Sequence, residues 1–165
     1  MRGRSTCSGF TMIELVTLLL VVGIIALVAL PRLDFKQGFD EDGYREQVKA
    51  TLEYARKAAV AQRRFVCAVV AGNDVTLTIE TIEPENVAHT TTCPYARALD
   101  LPVADARCAG GATNMICHPP DVTLTPAANI VFDPLGRAVS GAGTYTVSGG
   151  ANPVITLVGE TGYVF

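Results

Sequence analysis

The sequence contains few of the residues that catalytic and metal sites require. Its 165 residues include only two histidines, and neither His89 nor His118 lies in a recognisable catalytic motif. No pair of cysteines has the short C-x₂₋₄-C spacing of a structural zinc site. The glycine-rich pieces lack the strand–glycine–helix context of a phosphate site. We therefore expect no enzymatic activity, no bound metal and no cofactor.

Charge is almost absent from the first part of the chain. From residue 10 to residue 30 only Thr11, Glu14 and Thr17 are polar. A helix of this length extends about 32 Å, close to the ~30 Å hydrocarbon core of a bilayer. Arg2 and Arg4 precede the apolar run, and no acid lies among the residues before it. The pattern predicts one membrane helix with a cytoplasmic N-terminus and a head across the membrane.

Glu14 is unexpected because it lies inside this apolar run. A charged side chain in the middle of a bilayer costs roughly 2.5–3.5 kcal/mol or more, so such a residue usually has a function. An uncleaved signal anchor leaves Glu14 unexplained. A secretory signal peptide cut after the run also leaves it unexplained. That interpretation further lacks a small-residue cleavage site, because Leu30, Pro31 and Arg32 occupy the expected place.

A family resemblance explains this carboxylate. The stretch GFTMIEL, residues 9–15, resembles the class III signal of type IV prepilins, which is Gly–Phe–Thr–(Leu or Met)–Ile–Glu followed by an apolar helix. The short basic leader before it and Pro31 near the helix end fit the same pattern. The resemblance implies that prepilin peptidase cuts between Gly9 and Phe10, and that Phe10 is then N-methylated.

The same resemblance defines the first segments of the chain and a role for Glu14. Residues 1–9 are the cleaved leader, and residues 10–31 are retained as a transmembrane and assembly helix. In this family the glutamate is thought to attract the N-terminal amine of a neighbouring subunit. Pairing lowers the free energy of two groups that are costly in apolar surroundings. Glu14 is therefore expected to be an assembly residue.

The cysteines fit this topology. Cys7 precedes the helix on the reducing side, whereas Cys67, Cys93, Cys108 and Cys117 lie in the head. Four cysteines in an oxidising compartment suit two disulfides, with three possible pairings. The sequence does not choose among them. The pairing Cys67–Cys93 with Cys108–Cys117 closes the shorter loops and is the one we favour.

After the membrane helix, residues 32–64 predict an amphipathic helical continuation. One apolar stripe has spacings of three and four: Tyr44, Val48, Leu52, Ala55 and Ala59. Between the two helical runs, GFDEDG at 38–43 predicts a turn whose acids favour the following helix N-terminus. This stretch lacks the spaced ligands of a calcium loop.

Residues 65–165 predict a β-rich periplasmic head. FVCAVVA and VTLTIETI flank the hairpin turn GND. A long irregular insertion at 83–120, stapled by cysteines, comes next. Short strand patterns follow in VTLTP, NIVFDPLGRA, TYTVS and VITLVG, and ETGYVF predicts a further edge segment. The predicted fold class is α+β, with a long N-terminal helix packed on an antiparallel sheet.

This arrangement resembles the minor pilins and pseudopilins of the H-type pseudopilin group. Three stretches, LEYARKAAVAQRR, FDPLGRA and GETGYV, resemble a narrower subgroup, the minor pilins of mannose-sensitive haemagglutinin (MSHA) pili. The resemblance implies a Gram-negative inner-membrane subunit that enters a type IV pilus and primes its assembly. Its implied partners are prepilin peptidase, sister pilins and the inner-membrane assembly platform. The alternatives are a type II secretion pseudopilin serving protein export and a DNA- or surface-binding tip pilin.

Positive charge is too scarce to favour DNA as a partner. Removal of the leader lowers the basic residues from 13 to 11, against 16 acids. A phosphate-binding surface needs clustered Lys and Arg. DNA-uptake relatives resemble one another in a Gly–Arg–x–Arg element, but here Val139 stands in place of the second arginine. We therefore expect Arg137 to fix a turn after DPLG, and we do not expect nucleic-acid binding.

Overall fold

Two helices come first in the chain, and short antiparallel strands follow. The computed structural model describes residues 10–29, 35–86, 93–149 and 152–165. Helix α1 covers Met12–Ala29 and helix α2 covers Phe35–Gln62. The chain divides into two compact units, Met1–Lys36 and Gln37–Phe165. The second unit is the head.

Helix α2 buries the apolar stripe that the sequence predicts. Tyr44, Val48, Leu52, Ala55 and Ala59 are each at most 1% exposed. The helix ends where Arg63 adopts a left-handed backbone conformation, with φ of 51°. The Arg64 N–H then donates to the Ala59 carbonyl at 3.1 Å, which satisfies one of the last helical carbonyls.

The predicted turn at 38–43 is wrong, because α2 continues through it. Its two glycines each cost about 1 kcal/mol of helix propensity. Tertiary packing outweighs that cost, since Glu41 and Tyr44 of α2 are both fully buried within the head. A Cβ added at Gly149 would lie 2.3 Å from Glu41 Oε1. The acids therefore lie within the helix, and Glu41 packs against Gly149.

The described strands form two antiparallel sheets. They are β1 Val66–Ala71, β2 Asp74–Glu80, β3 Ala96–Ala98, β4 Met115–Ile116, β5 Thr123–Thr125, β6 Asn129–Phe132, β7 Ala138–Ser140, β8 Gly143–Ser148 and β9 Val154–Leu157. The first sheet has the order β3-β2-β1-β6-β7, and β4 pairs with a separate part of β2. The second sheet has the order β5-β8-β9. The sequence predicted the α+β class and the antiparallel pairing, but it predicted one sheet.

Two of these strands lie in the segment predicted to be irregular. Strand β3 pairs with Thr78–Glu80, and β4 pairs with Val75 and Thr76. Each is only two or three residues long, too short for a period-two pattern to show. The predicted edge segment at the end of the chain is present, because Val164 bridges to Leu157 on β9.

One core joins α2 to both sheets. It combines the α2 stripe with side chains from the first sheet, such as Leu77 and Phe132, and from the second, such as Val147 and Ile155. The Tyr145 hydroxyl donates to the Gly141 carbonyl at 2.5 Å. Burial raises the pKa of Tyr145 to about 12. This tyrosine ties the start of β8 to the loop before it.

The hairpin turn between β1 and β2 connects three parts of the head. The Tyr44 hydroxyl of α2 donates to the Asn73 carbonyl. The Asn73 side-chain oxygen accepts the Leu124 N–H of β5 at 3.2 Å. Burial, and secondly the charge of Asp74, raise the pKa of Tyr44 well above its ordinary value. The phenol therefore stays a hydrogen-bond donor across the physiological pH range.

Two disulfides staple the head. They join Cys67 to Cys93 and Cys108 to Cys117, with Cα–Cα distances of 6.1 and 5.3 Å. This is the pairing that closes the shorter loops. Cys67 lies on β1 and is only 2% exposed, so the disulfide that closes the longer loop is attached to a buried strand.

Candidate functional site: the start of α1 and the Arg56 junction

A capping box made by Thr11 and Glu14 closes the amino end of α1. The Thr11 carbonyl accepts the backbone N–H groups of Glu14 and Leu15 at 3.1 and 3.2 Å. The Thr11 hydroxyl accepts the Glu14 backbone N–H at 3.4 Å. In return, Glu14 Oε2 accepts the backbone N–H and the hydroxyl of Thr11, each at 3.4 Å. Such reciprocal bonds satisfy donors that the start of a helix otherwise leaves free.

The prediction for Glu14 missed this local role. The signal was present as Thr-x-x-Glu directly before an apolar run. Only a partner outside the subunit was expected, whereas the same carboxylate also serves its own helix. Phe10, beside it, is 74% exposed. Gly9, and with it the predicted cleavage junction, lies outside the described residues.

Helix α1 has no polar face. Apart from Glu14 and Thr17, all its residues are apolar or glycine, and the side chains from Phe10 to Ile25 are exposed. A helix that is apolar all round requires apolar surroundings. The predicted membrane segment 10–31 is described as α1 over Met12–Ala29. Within the described part of the chain, no helix is both long and apolar enough to cross a membrane.

In the head, Arg56 of α2 holds two glycine turns together. Its Nε–H donates to the Gly136 carbonyl at 3.2 Å, and its guanidinium lies 5.4 Å from the ring centre of Tyr163. Gly136 and Gly162 have φ values of 83° and 62°, which glycine adopts without strain. A Cβ on Gly162 would lie 2.0 Å from the Gly136 carbonyl oxygen, and one on Gly136 would lie 2.9 Å from Val60 Cγ2. We call these five residues the Arg56 junction.

The Arg56 junction draws its residues from three separate stretches of the sequence. Arg56 and Val60 come from LEYARKAAVAQRR, Gly136 from FDPLGRA, and Gly162 and Tyr163 from GETGYV. The fold brings the three stretches into contact.

Asp133 organises the turn that presents Gly136. Its Oδ1 accepts the backbone N–H groups of Leu135 and Arg137 at 2.9 and 2.8 Å. Its Oδ2 accepts from Arg137 Nε at 2.7 Å. The prediction that Arg137 fixes this turn is therefore confirmed. This role engages the guanidinium within the subunit.

A second polar cluster lies beside the shorter disulfide. The Asp105 carboxylate, only 6% exposed, pairs with Arg107 at 2.9 Å and accepts the Cys117 N–H at 3.0 Å. Arg107 also donates to the Gln47 side-chain oxygen on α2. Burial alone raises the pKa of Asp105, but the hydrogen bonds from Arg107 and Cys117 outweigh it and hold the pKa well below its usual range. This cluster fastens the disulfide loop to α2.

His118 lies beside the hairpin turn between β1 and β2. His118 pairs with Asp74, with 2.7 Å between Nδ1 and Oδ1, and its backbone N–H donates to the same oxygen at 2.9 Å. His89 lies outside the described residues. In the ranges that the structure describes, no group of three or more His, Cys, Asp and Glu could hold a metal ion. His118 thus serves to fix the hairpin turn at Asp74.

The arrangement of α2 packed on antiparallel sheets is a pilin-like fold. Among solved structures, the type IV minor pilin FimU of Pseudomonas aeruginosa (strain PAO1) superposes on this chain with a TM-score of 0.50 at 15% sequence identity. The match covers 79% of this chain and 90% of FimU. No protein-family model matches the sequence, and no curated protein matches it. The likeness to FimU establishes the fold.

Proposed function

We propose that this chain is a minor pilin-type structural subunit, not an enzyme, that is incorporated into a type IV pilus of the MSHA kind and primes its assembly. The observation that carries the proposal is the sequence GFTMIEL at the start of an all-apolar helix, in a chain whose head has a pilin-like fold. No polar face on α1 offers a contact with water. Such a helix requires lipid before assembly and sister helices after it.

In this proposal, prepilin peptidase removes residues 1–9 and the new N-terminal Phe10 is methylated. The subunit then waits in the inner membrane as a single-pass protein, with its N-terminus in the cytoplasm and its head in the periplasm. The assembly platform moves it into the filament, where Glu14 accepts the amine of a neighbouring subunit. The N-terminal amine and the Glu14 carboxylate have opposite charges, so a subunit docked in register satisfies both.

The mass and N-terminal residue of the protein test this proposal directly. The full chain is to be purified from cells that encode a prepilin peptidase and from the same cells lacking it. We expect N-methylated Phe10 in the first preparation and an uncut Met1 chain in the second. An uncut chain in both would overturn the proposal, because the protein would then be a plain membrane anchor. A matched Gly9→Val variant should stay uncut even with the peptidase present.

A further inference from the structure

A hollow of about 370 Å³ lies between α2 and the loop after β3. Residues of α2, of this loop and of β4 line it: Gln47, Ala50, Thr51, Tyr54, residues 101–106 and Ile116. Apart from Asp105, the loop residues in this wall are apolar. The volume falls within the range of pockets that hold small molecules in proteins. We call this hollow the α2 pocket.

Thr51 brings a buried hydroxyl without a partner to the α2 pocket. The residue is only 5% exposed. A threonine inside a helix often donates to a carbonyl in the preceding turn, as Thr17 does to Glu14 at 3.0 Å. The Thr51 hydroxyl forms no such bond, and it bonds to no other residue in the described part of the chain. Since buried hydroxyls are nearly always hydrogen-bonded, this one indicates a partner from outside the chain, which can reach it through the pocket that Thr51 lines.

Tyr54 supplies a second polar group to the same wall. It lies three residues after Thr51, so the two side chains are neighbours on one face of α2. The Tyr54 hydroxyl donates to the Asp100 carbonyl at 2.9 Å, and its oxygen can still accept a hydrogen bond. A ligand hydroxyl can accept from Thr51 and donate to Tyr54 at once. A ligand carbonyl can only accept, so it satisfies Thr51 alone.

The charged residue in the wall of the α2 pocket is already paired. Asp105 forms an ion pair with Arg107 at 2.9 Å. Its carboxylate also accepts from Gln47 Nε2 at 3.2 Å and from the Cys117 N–H at 3.0 Å. These bonds leave little of the carboxylate for a cation. An anion would lose its hydration beside a carboxylate, which is costly. The contacts of Asp105 therefore favour a neutral ligand.

Water is a poor occupant of the α2 pocket. The volume of about 370 Å³ equals that of about twelve waters in the liquid. A buried water typically makes about three hydrogen bonds, whereas most of the lining residues are apolar. An apolar group that displaces such poorly bonded waters gains free energy. The body of the ligand should therefore be apolar.

We propose that the α2 pocket binds a small neutral alcohol or phenol with an apolar ring body. The ligand hydroxyl lies between Thr51 and Tyr54, and the ring body packs against the apolar loop. Val103 of that loop is 80% exposed without a ligand, so binding would cover apolar surface that now faces water. This inference concerns the head alone and does not require that the chain enters a pilus.

The test is equilibrium dialysis of the full-length protein against 2-naphthol, a fluorescent phenol that is neutral at pH 7. The same detergent is present in both chambers, and the chain has no tryptophan to obscure the naphthol fluorescence. Ala104→Phe serves as the reference, because the added ring fills the pocket at an exposed position while binding by the detergent stays the same. We expect the wild type to hold 2-naphthol in excess of this variant.

Thr51→Val keeps the shape of the side chain and removes only the hydroxyl. It should bind 2-naphthol about fivefold more weakly, as expected for the loss of one hydrogen bond. Its head should melt no lower than the wild type, because the hydroxyl has no partner within the described chain. A fall in the melting temperature would overturn the proposal, since the hydroxyl would then be a structural group.

Thr123→Val is the matched control, since Thr123 is an exposed residue of β5 and does not line the pocket. This variant should bind like the wild type. The proposal is overturned if the wild type and Ala104→Phe hold equal amounts of 2-naphthol. It is also overturned if Thr51→Val binds like the wild type. Binding of the anion 2-naphthoate as tight as that of 2-naphthol would exclude the neutral ligand class.

Discussion

Helix α1 exposes its apolar side chains, whereas the head buries a core of them. In α1, Leu18, Val22 and Ile25 are each more than half exposed, whereas in the head Leu52 and Phe132 are at most 1% exposed. The head therefore carries its own core, and α1 depends on apolar surroundings from elsewhere. Substitutions in α1 should change the share of the protein that is found in filaments. Substitutions in the head should change its free energy of unfolding. Four predictions test that division.

The largest effect is expected for Glu14→Val. The substitution removes the only charge of α1, so under the proposed function the subunit should still enter the membrane. An amine left buried without its carboxylate costs about 3–5 kcal/mol, so incorporation into filaments should fall at least about tenfold. The measurement is the share of the subunit in sheared filaments relative to membranes. The head should melt at an unchanged temperature.

Thr17→Val is the control for Glu14→Val. It removes a hydroxyl that donates to the Glu14 carbonyl at 3.0 Å and leaves the carboxylate in place. This variant should enter filaments like the wild type. Normal incorporation of Glu14→Val would show that the carboxylate is not an assembly group.

In the head, the largest losses should follow removal of the disulfides. The two disulfides close loops with sequence separations of 26 and 9. Chain entropy predicts losses in the free energy of unfolding of about 3.5 kcal/mol for Cys67→Ala/Cys93→Ala and about 2.6 kcal/mol for Cys108→Ala/Cys117→Ala. Urea unfolding followed by tyrosine fluorescence suits a chain with no tryptophan. A larger loss for the shorter loop would contradict the entropic account.

The Arg56 junction should be sensitive to one methyl group. Gly162→Ala places a Cβ 2.0 Å from the Gly136 carbonyl oxygen at a φ of 62°, so the free energy of unfolding should fall by about 3 kcal/mol through overpacking and strain. Gly72→Ala is the matched control, because φ is 59° there and nothing lies within 4 Å. It should lose about 1 kcal/mol, from strain alone. Equal losses in thermal melts would mean that the two turns do not meet as closely as described.

The smallest effect is expected for Asp105→Asn, and its size should depend on pH. The pKa of Asp105 is held below its ordinary value of 3.8, so its ion pair stabilises the head above that pH and the stabilisation is lost as pH falls below about 4. Asp105→Asn should cost about 1 kcal/mol at pH 7. Because the variant has no carboxylate to protonate, the difference from wild type should shrink by pH 3. Melting temperatures from pH 7 to pH 3 measure it, and a constant difference would exclude the ion pair as its source.

Sequence patterns predicted the parts of the head that follow from periodicity. The α2 stripe from Tyr44 to Ala59 and the β1–β2 hairpin are present because burial on one face enforces a period of 3.6 or 2. The continuation of α2 through GFDEDG was not predictable in this way. Its helical state depends on burial of Glu41 and Tyr44 against distant residues, and local propensity does not report such contacts.

In the candidate site, too, local features could be predicted from the sequence and contacts between distant residues could not. The assembly role of Glu14 stays a prediction from its motif, whereas its capping role could have been predicted from Thr11 three residues earlier. The Arg56 junction could not be predicted from the sequence, because Arg56 and Gly136, which form a hydrogen bond, are 80 residues apart in the chain. The motif stretches were visible separately, and only the fold shows that they meet.

The capping box has a consequence for how an assembled filament would come apart. In the lone subunit, Glu14 is already held by Thr11 through bonds of 3.4 Å, which is long for hydrogen bonds and therefore weak. Under the proposed function, docking replaces these bonds with a neighbour's amine. Because the bonds that the carboxylate gives up are weak, the exchange of partners loses little free energy. Under the same proposal, a subunit that leaves the filament would re-form its own cap.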